Sequence, residues 1–294
     1  MRRGRFTSDF VNPGFLNGKR RSAHLKLTDE MRDALSKAFK PVVLRRTKER
    51  VLKDLPDKTE QVVSVELEAK QLKTYNELKR YYQSQLLKEI KEKGIKKSQI
   101  QILAALTRLR LAALHPGLID PTHAKTKSAK FEVILEMLEE IISEGNRVLI
   151  FSQFTSLLAL LKKELKQRKI EFCYLDGKTA NRQTVVDGFK ESGHPVFLMS
   201  LKAGGVGLNL VEANYVFLLD PWWNPAVEAQ AIDRVHRIGQ KRAVNAYRFI
   251  AKNTVEEKIL DLQQTKRGLA EEIFGQKTNS VRSLTAGDIE NLLA

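Results

Sequence analysis

VLIFSQFTSLLALLKKELKQRKIEFCYL, residues 148–175, decides the fold. Its opening VLIF is continuously apolar and ends on polar residues, the signature of a strand buried on both faces. After Thr155, a suitable helix N-cap, Leu157, Leu158, Leu161 and Leu165 recur at helical spacing. EFCYL (171–175) then returns to the strand pattern. Strand, helix and strand within 28 residues make a unit whose two strands run parallel.

The same alternation extends outward in both directions. Downstream, VFLMS (196–200), YVFLLD (215–220) and NAYRFIA (245–251) read as further buried strands. Upstream, Phe131, Ile134, Leu135, Leu138 and Ile142 mark a helix that stops at Gly145. Strict alternation predicts an α/β fold, a parallel sheet with helices on both faces. Before residue 128 the pattern changes. Residues 68–93 and 98–114 look helical, with a break at Gly94 and no strand between them, so a helical insertion is expected over about 68–125. QVVSVEL (61–67) alternates and is expected to be a strand of the main sheet. Residues 1–24 carry no clear period, residues 276–294 form a polar tail, and no internal repeat is present.

The chain has 294 residues, of which 42% are hydrophobic, enough for a sizeable core in one large or two small domains. Cys173 is the single cysteine, which excludes an intrachain disulfide framework. No apolar run approaches the roughly 18 residues of a membrane span, and the basic start MRRGRF lacks the apolar part of a signal peptide. The expectation is a soluble intracellular protein without membrane association. Its formal charge is +16, and the excess is unevenly placed. Residues 1–60 hold 16 basic and 8 acidic residues, residues 61–130 hold 14 and 6, and residues 131–275 hold 19 of each. A basic region beside a neutral one suits a polyanion, because clustered Lys and Arg release counterions from phosphates. A solvated Lys-rich helix is the alternative, and KEIKEKGIKK (88–97) fits it.

PWWNPAVEAQAIDRVHRIGQ (221–240) is the strongest local signal for chemistry. Asn224 and Pro225 predict an N-cap followed by proline in the first turn, and Gly239 predicts the helix end. On such a helix Val227, Ala231, Val235 and Ile238 form an apolar stripe, with Gln230, Arg234 and Arg237 clustered along its edge. Guanidinium groups bordering a buried face suit a phosphate held by bidentate hydrogen bonds; an ion pair with a neighbour such as Asp233 is the common alternative. MSLKAGGVGLNL (199–210) leaves a strand through Ser200, Lys202, Gly204, Gly205 and Gly207, whose freedom of conformation can turn backbone N–H groups towards an anion. A tight strand-to-helix connection would use the same residues. YLDGKT (174–179) again puts Gly177, Lys178 and Thr179 just after a strand. All three turns fall at the edge of the sheet where open α/β folds bind ligands.

VLIFSQF (148–154), YLDGKT (174–179), SLKAGGVGLNL (200–210) and DPWWNPAVEAQAIDRVHRIGQ (220–240) resemble successive helicase motifs of the second RecA-like lobe of Swi/Snf-type ATPases, superfamily-two translocases that include chromatin remodellers and bacterial relatives. LRRTKERVLKDLPDKTEQ (44–61) is similar to that family's interlobe linker. The resemblance covers about residues 25–275 in matching order and spacing. It implies a RecA-like lobe over 61–275, a linker over 44–60 and a remnant of the first lobe over 1–43. It also implies a DNA-stimulated motor in which ATP, with Mg2+, sits between two lobes of one polypeptide. Arg234 and Arg237 match the arginine-finger positions, with Gln230 on the same nucleotide interface. Gly205 and Gly207 match the motif coupling nucleotide to DNA. Gly177, Lys178, Thr179, Ser200 and Lys202 match segments facing the phosphate backbone of duplex DNA, and Trp223 matches an aromatic residue near its groove, although a Trp pair also suits a core. By the same resemblance DNA-bound proteins are possible targets. The location would be cytoplasmic and nucleoid-associated in a bacterium, towards which the Lys-rich linker leans, and nuclear in a eukaryote.

The departures are equally informative. No GxxxxGK[ST] phosphate loop and no DExH-like carboxylate motif occurs, so the first lobe is missing and the chain reads as a C-terminal part of a longer protein, inactive alone. Two other readings remain open on the residues: a nucleic-acid- or protein-binding module without catalysis, and an RNA helicase lobe. Cys173 reads as an inert strand residue, His236 points away from the arginines by helical arithmetic, and His115 and His123 lack partners at metal-ligand spacing, so no metal is expected. Tyr75, Tyr81 and Tyr82 interleave with Lys73, Lys79 and Arg80, and core packing is the expected role.

Overall fold

The computed structural model describes residues 55–273, except 125 and 204–206, together with Leu292. The first-lobe remnant expected over 1–43, most of the linker expected over 44–60, Gly205, and the tail over 276–294 apart from Leu292 lie outside the described residues. In chain order the elements are β1 (Lys58–Val65), α1 (Ala69–Lys93), α2 (Ile95–Leu114), α3 (Ala129–Ser143), β2 (Val148–Ser152), α4 (Thr155–Gln167), β3 (Phe172–Leu175), α5 (Arg182–Ser192), β4 (Val196–Ser200), β5 (Tyr215–Leu218), α6 (Pro225–Ile232), β6 (Val244–Ala251) and α7 (Val255–Ile273). The six strands form one sheet in the order β1-β6-β5-β2-β4-β3, with every neighbouring pair parallel.

Both faces of the central strands are buried, which is why those strands read as unbroken apolar runs. Val148, Ile150, Val196, Leu198 and Phe217 face α3 and α4 through Ile134, Leu138, Leu157 and Leu161. Their alternates Leu149, Phe151, Phe197, Met199 and Val216 face α5 and α6 through Val186, Phe189, Ala231 and Ile232. β1 differs, since it lies at the sheet edge and only Val65 in it is buried. It starts three residues earlier than the alternating sequence predicts, because Lys58 already pairs with Val244 of β6. At the start of α4, Phe154 occupies the cap position and Thr155 is the first helical residue.

α1 and α2 form an antiparallel hairpin turned at Gly94, whose φ of +74° favours glycine. A third core joins the hairpin to α7 through Tyr75, Leu86, Leu106, Leu109, Val255 and Ile259. Tyr75 is buried and its hydroxyl accepts from the Val255 N–H at 2.7 Å, Tyr82 packs against the same core, and Tyr81 is exposed. Cys173 is half-buried and burial raises its thiol, as suits an inert side chain.

Buried charges tie the sheet to its helices. Lys130 of α3 is fully buried, and its ammonium donates to the Leu219 and Phe249 carbonyls at 3.0 and 2.9 Å and to Glu256 at 2.6 Å. Glu256 Oε2 also accepts from the Ala251 N–H at 2.9 Å, so one ion pair links α3, β6 and α7 beyond β5. Arg248 of β6 lies between Glu228 of α6 at 2.9 Å and Glu60 of β1 at 2.7 Å. Burial would raise the Glu60 carboxyl, but Lys58 and Arg248 hold it down at about 2.

These packed groups make the stability testable at two points. Lys130→Met leaves Glu256 buried without the cation it contacts and should lower unfolding stability by about 3–5 kcal/mol in urea titration, whereas adding Glu256→Leu should recover most of that loss. His115 is buried with its Nδ1 accepting from the Gly117 N–H at 2.9 Å, and burial lowers its pKa from 6.5 to about 4. The stability held by the neutral ring is complete above pH 6.5 and is lost as pH falls from there towards 4. His115→Asn, which keeps an acceptor but cannot titrate, should flatten the melting temperature across that window.

Candidate functional site

All six strands run the same way, so the turns after β2, β3, β4 and β5 share one edge of the sheet. From β2 the chain moves outward to β3, while from β5 it moves the opposite way to β6. Connections therefore diverge between β2 and β5, the switch point at which open α/β sheets leave a crevice. Here that crevice is filled from within. Asp220, after β5, accepts from Ser152 Oγ at 2.5 Å and the Gln153 N–H at 3.2 Å, at and just after the end of β2, and from the Gln153 side chain. Arg110 of α2 enters the same space, 3.3 Å from Asp220, with 2% of its surface exposed.

Beside the crevice lies a cleft of about 420 Å³ lined by Gly207, Leu208, Asn209, Gln230, Asp233, Arg234, Arg237 and Ile238. The sequence expectation that Gln230, Arg234 and Arg237 cluster is met there, although the helix that was to present them is shorter than predicted. Asn224 does cap α6, its Oδ1 accepting from the Ala226 N–H at 3.0 Å, but the helix ends at Ile232. Beyond it the chain is held by tertiary bonds: the Arg234 carbonyl accepts from Leu210 N–H at 3.2 Å, and Gln240 Nε2 reaches the Ala213 and Val235 carbonyls at 2.8 and 3.3 Å. Val235 remains buried while Ile238, expected in the apolar stripe, is 71% exposed on the cleft wall. His236 turns away, its Nε2 2.9 Å from the Pro56 carbonyl.

Arg234 is the most buried charged residue lining the cleft. It is 5% exposed, yet its Nε has no hydrogen-bond partner, and among the described residues neither it nor Arg237 joins an ion pair. Burial, and then the charge of Arg237, push its guanidinium below the ordinary value. Two neighbouring cations, neither paired with a described carboxylate, are stabilised by an incoming anion, and the planar fork suits a phosphate. Gly207, which also lines the cleft, takes φ +31°, with nothing within 4 Å of where a Cβ would stand.

The other sequence candidates lie along the same edge outside this cleft. Asp176 organises the turn after β3: its carboxylate accepts from the Lys178 N–H at 2.9 Å and Thr179 Oγ1 at 3.3 Å, while Thr179 Oγ1 accepts from the Asp176 N–H at 3.0 Å. The Lys178 side chain is left exposed, and no atom lies within 4 Å of a Cβ built on Gly177. After β4, Ser200 is buried with its Oγ accepting from the Ala203 N–H at 3.3 Å, a turn-forming role, while Lys202 is exposed. Trp223 is half-buried against the core of α1, α2 and α7, with the Arg110 guanidinium 5.5 Å from its ring. Sequence reasoning missed Arg110, Asp220 and Gln153. Arg110 belongs to a helix in which the basic residues Lys97 and Arg108 are exposed, and nothing local to it signals burial.

Comparison with known proteins agrees with this architecture. Residues 129–239 match the helicase conserved C-terminal domain and residues 4–118 match the SNF2-related domain. An uncharacterized ATP-dependent helicase of Mycoplasma pneumoniae is 37% identical over 97% of this chain, which spans 28% of that relative's length. Among solved structures, the Sulfolobus solfataricus SWI2/SNF2 ATPase core in complex with dsDNA matches 88% of this chain and 55% of its own at 30% identity, with a TM-score of 0.66. The C-terminal domain of the Sulfolobus solfataricus SWI2/SNF2 ATPase matches 80% of this chain and 98% of its own at 28% identity, with a TM-score of 0.63. With its parallel sheet and helicase motifs in order, the chain belongs to the Swi/Snf (SNF2) ATPase family, as its C-terminal helicase lobe.

Proposed function

We propose that this chain is the second motor lobe of a DNA-dependent ATPase that translocates along duplex DNA, and that it is not a complete ATPase by itself. The observation that carries this reading is Arg234, buried and unpaired at Nε beside Arg237 in an open cleft. In the proposed enzyme ATP and Mg2+ are held by a first lobe of the same polypeptide, which brings the phosphate loop and metal carboxylates absent here. Arg234 and Arg237 reach across to the phosphates and offset charge that develops as the terminal phosphoryl group transfers to water. Gln230 and Gly207 line the same interface, Gln230 beside the arginines and Gly207 letting the backbone approach.

DNA is proposed to lie along the strand-end edge, with Lys178 and Lys202 meeting its phosphate backbone and hence little sequence preference. The α1–α2 hairpin supports a polyanion partner, since residues 69–114 hold 11 basic and 3 acidic residues and Arg110 roots the hairpin at that same edge. The Asp176-held turn presents Lys178 beside Gly177, and the Ser200-held turn presents Lys202.

In the two-lobe protein Arg234→Ala or Arg237→Ala should lower hydrolysis by roughly 10³–10⁵-fold, about 4–7 kcal/mol of transition-state stabilisation, with DNA affinity unchanged. Normal turnover in either variant would refute the arginine assignment. Lys178→Ala and Lys202→Ala should each weaken binding to any duplex sequence and make the slope of log affinity against log salt shallower by about 0.9 for each phosphate left unneutralised. Stimulation of hydrolysis by RNA in preference to duplex DNA would move the reading to an RNA helicase lobe.

A further inference from the structure

The switch-point crevice raises a question that the arginine cleft does not answer. Open α/β sheets keep that crevice for ligands, yet here a guanidinium from the helical hairpin fills it. Arg110 donates from Nη1 to Gln153 Oε1 at 3.1 Å, and from Nη2 to Asp220 Oδ2 at 3.3 Å and to the Pro221 carbonyl. Its guanidinium carbon lies 5.2 Å from the centre of the Phe154 ring and 5.5 Å from that of the Trp223 ring. Stability alone is a poor reason for such a group. Burying the ion pair costs desolvation that a well-packed apolar side chain would avoid, and the Arg110 Nε still lacks a hydrogen-bond partner. A planar fork with fixed donors does what an apolar side chain cannot: it sets the relative position of the elements it touches.

The residues so fixed lead directly to the arginine pair. After Pro221 the Trp222 N–H donates to Glu228 Oε1 at 2.7 Å, which ties the 220–224 turn to α6. Gln263 of α7 donates to the Trp222 carbonyl and to the same Glu228 oxygen at 2.9 Å, while Arg248 holds the other oxygen at 2.9 Å. α6 is eight residues long, about 12 Å, and Arg234 follows it by two positions. Its entry is therefore clamped by Arg110 on one side and by Glu228 on the other.

We propose that Arg110 is a positioning residue for hydrolysis: by locking the turn at Asp220–Pro221 to Gln153 and to the helical hairpin, it fixes where α6 delivers Arg234 and Arg237. This rests on the reading of those arginines given above. Arg110 touches neither nucleotide nor DNA in this scheme, and acts through the backbone it holds. Charge stabilisation at a transferring phosphoryl group is steeply sensitive to position, so a displacement of about 1 Å is enough to cost roughly 10²-fold in rate. Ground-state binding of ATP, assigned to the first lobe, is far less sensitive.

The test compares Arg110→Met, Arg110→Lys, Gln153→Met and Arg237→Ala in the two-lobe protein, with folded fraction measured by circular dichroism and kcat and KM for ATP measured at saturating duplex DNA. Per folded molecule, Arg110→Met should lose roughly 10²-fold in kcat with KM for ATP unchanged. Arg110→Lys should fall between it and the parent, because an ammonium keeps the charge but cannot span the three acceptors. Gln153→Met, which removes one of those links, should cost less than Arg110→Met. If Arg110→Met does not fold, a drop in kcat for folded Arg110→Lys carries the proposal. Unchanged kcat per folded molecule in the Arg110 variants, with hydrolysis abolished in Arg237→Ala, overturns the positioning role and leaves the arginine assignment standing. Normal hydrolysis in Arg237→Ala removes both.

Discussion

A single guanidinium inside the switch-point crevice constrains much of what surrounds it. Arg110 joins the end of β2, through Gln153, to the end of β5, through Asp220 and Pro221, and it does so from a helix outside the parallel sheet. Removing either charged partner would leave the other buried and uncompensated, so the hairpin, the sheet edge and the 220–224 turn are held to one arrangement. Lys130 and Glu256 make a comparable link behind β5 and β6, and Arg248 with Glu228 and Glu60 makes another across β1, β6 and α6. The apolar cores supply the bulk of the folding free energy, while these ion pairs select the geometry at the edge where ligands are expected.

Against that rigid background the arginine cleft stands out by what is left unbalanced. Arg110, Lys130 and Arg248 are buried cations with carboxylates in contact. Arg234 is buried to a similar degree, and its nearest charge effect is the repulsion of Arg237. Among the described residues the other buried cations are paired and Arg234 joins no ion pair, which suits the anion that the proposed function assigns to this cleft. The same contrast separates the edge lysines from the turns beneath them. Asp176 and Ser200 consume the polar groups of their turns, which leaves Lys178 and Lys202 as the groups able to meet a phosphate backbone.

Much of the sheet was legible because each of its central strands is buried on both faces, which writes itself into sequence as an unbroken apolar run. VFLMS corresponds to β4 residue for residue, and the break at Gly94 is where the hairpin turns. The end of α6 was not legible. Val227, Ala231, Val235 and Ile238 keep helical spacing past Ile232, while the real terminus is imposed by bonds to residues 210–213, more than 20 positions earlier in the chain. The buried charges were illegible for a related reason: Arg110 and Lys130 lie in a strongly basic region, and only their distant partners Asp220 and Glu256 distinguish them from solvated neighbours. In the candidate site, motif order singled out the arginines and the edge lysines as candidates. Which polar groups were already used, as with Ser200 and Thr179, required the fold.

The central claim is that this lobe contributes half of a composite active site. It is tested most directly by measuring ATP hydrolysis by this chain alone, with and without duplex DNA, and then with a separately produced first lobe added in trans. The account predicts no turnover from the chain alone and DNA-stimulated turnover once the first lobe is present. Hydrolysis by the purified chain alone, persisting after contaminating ATPases are excluded, would contradict it, because a complete nucleotide site would then lie within these 294 residues.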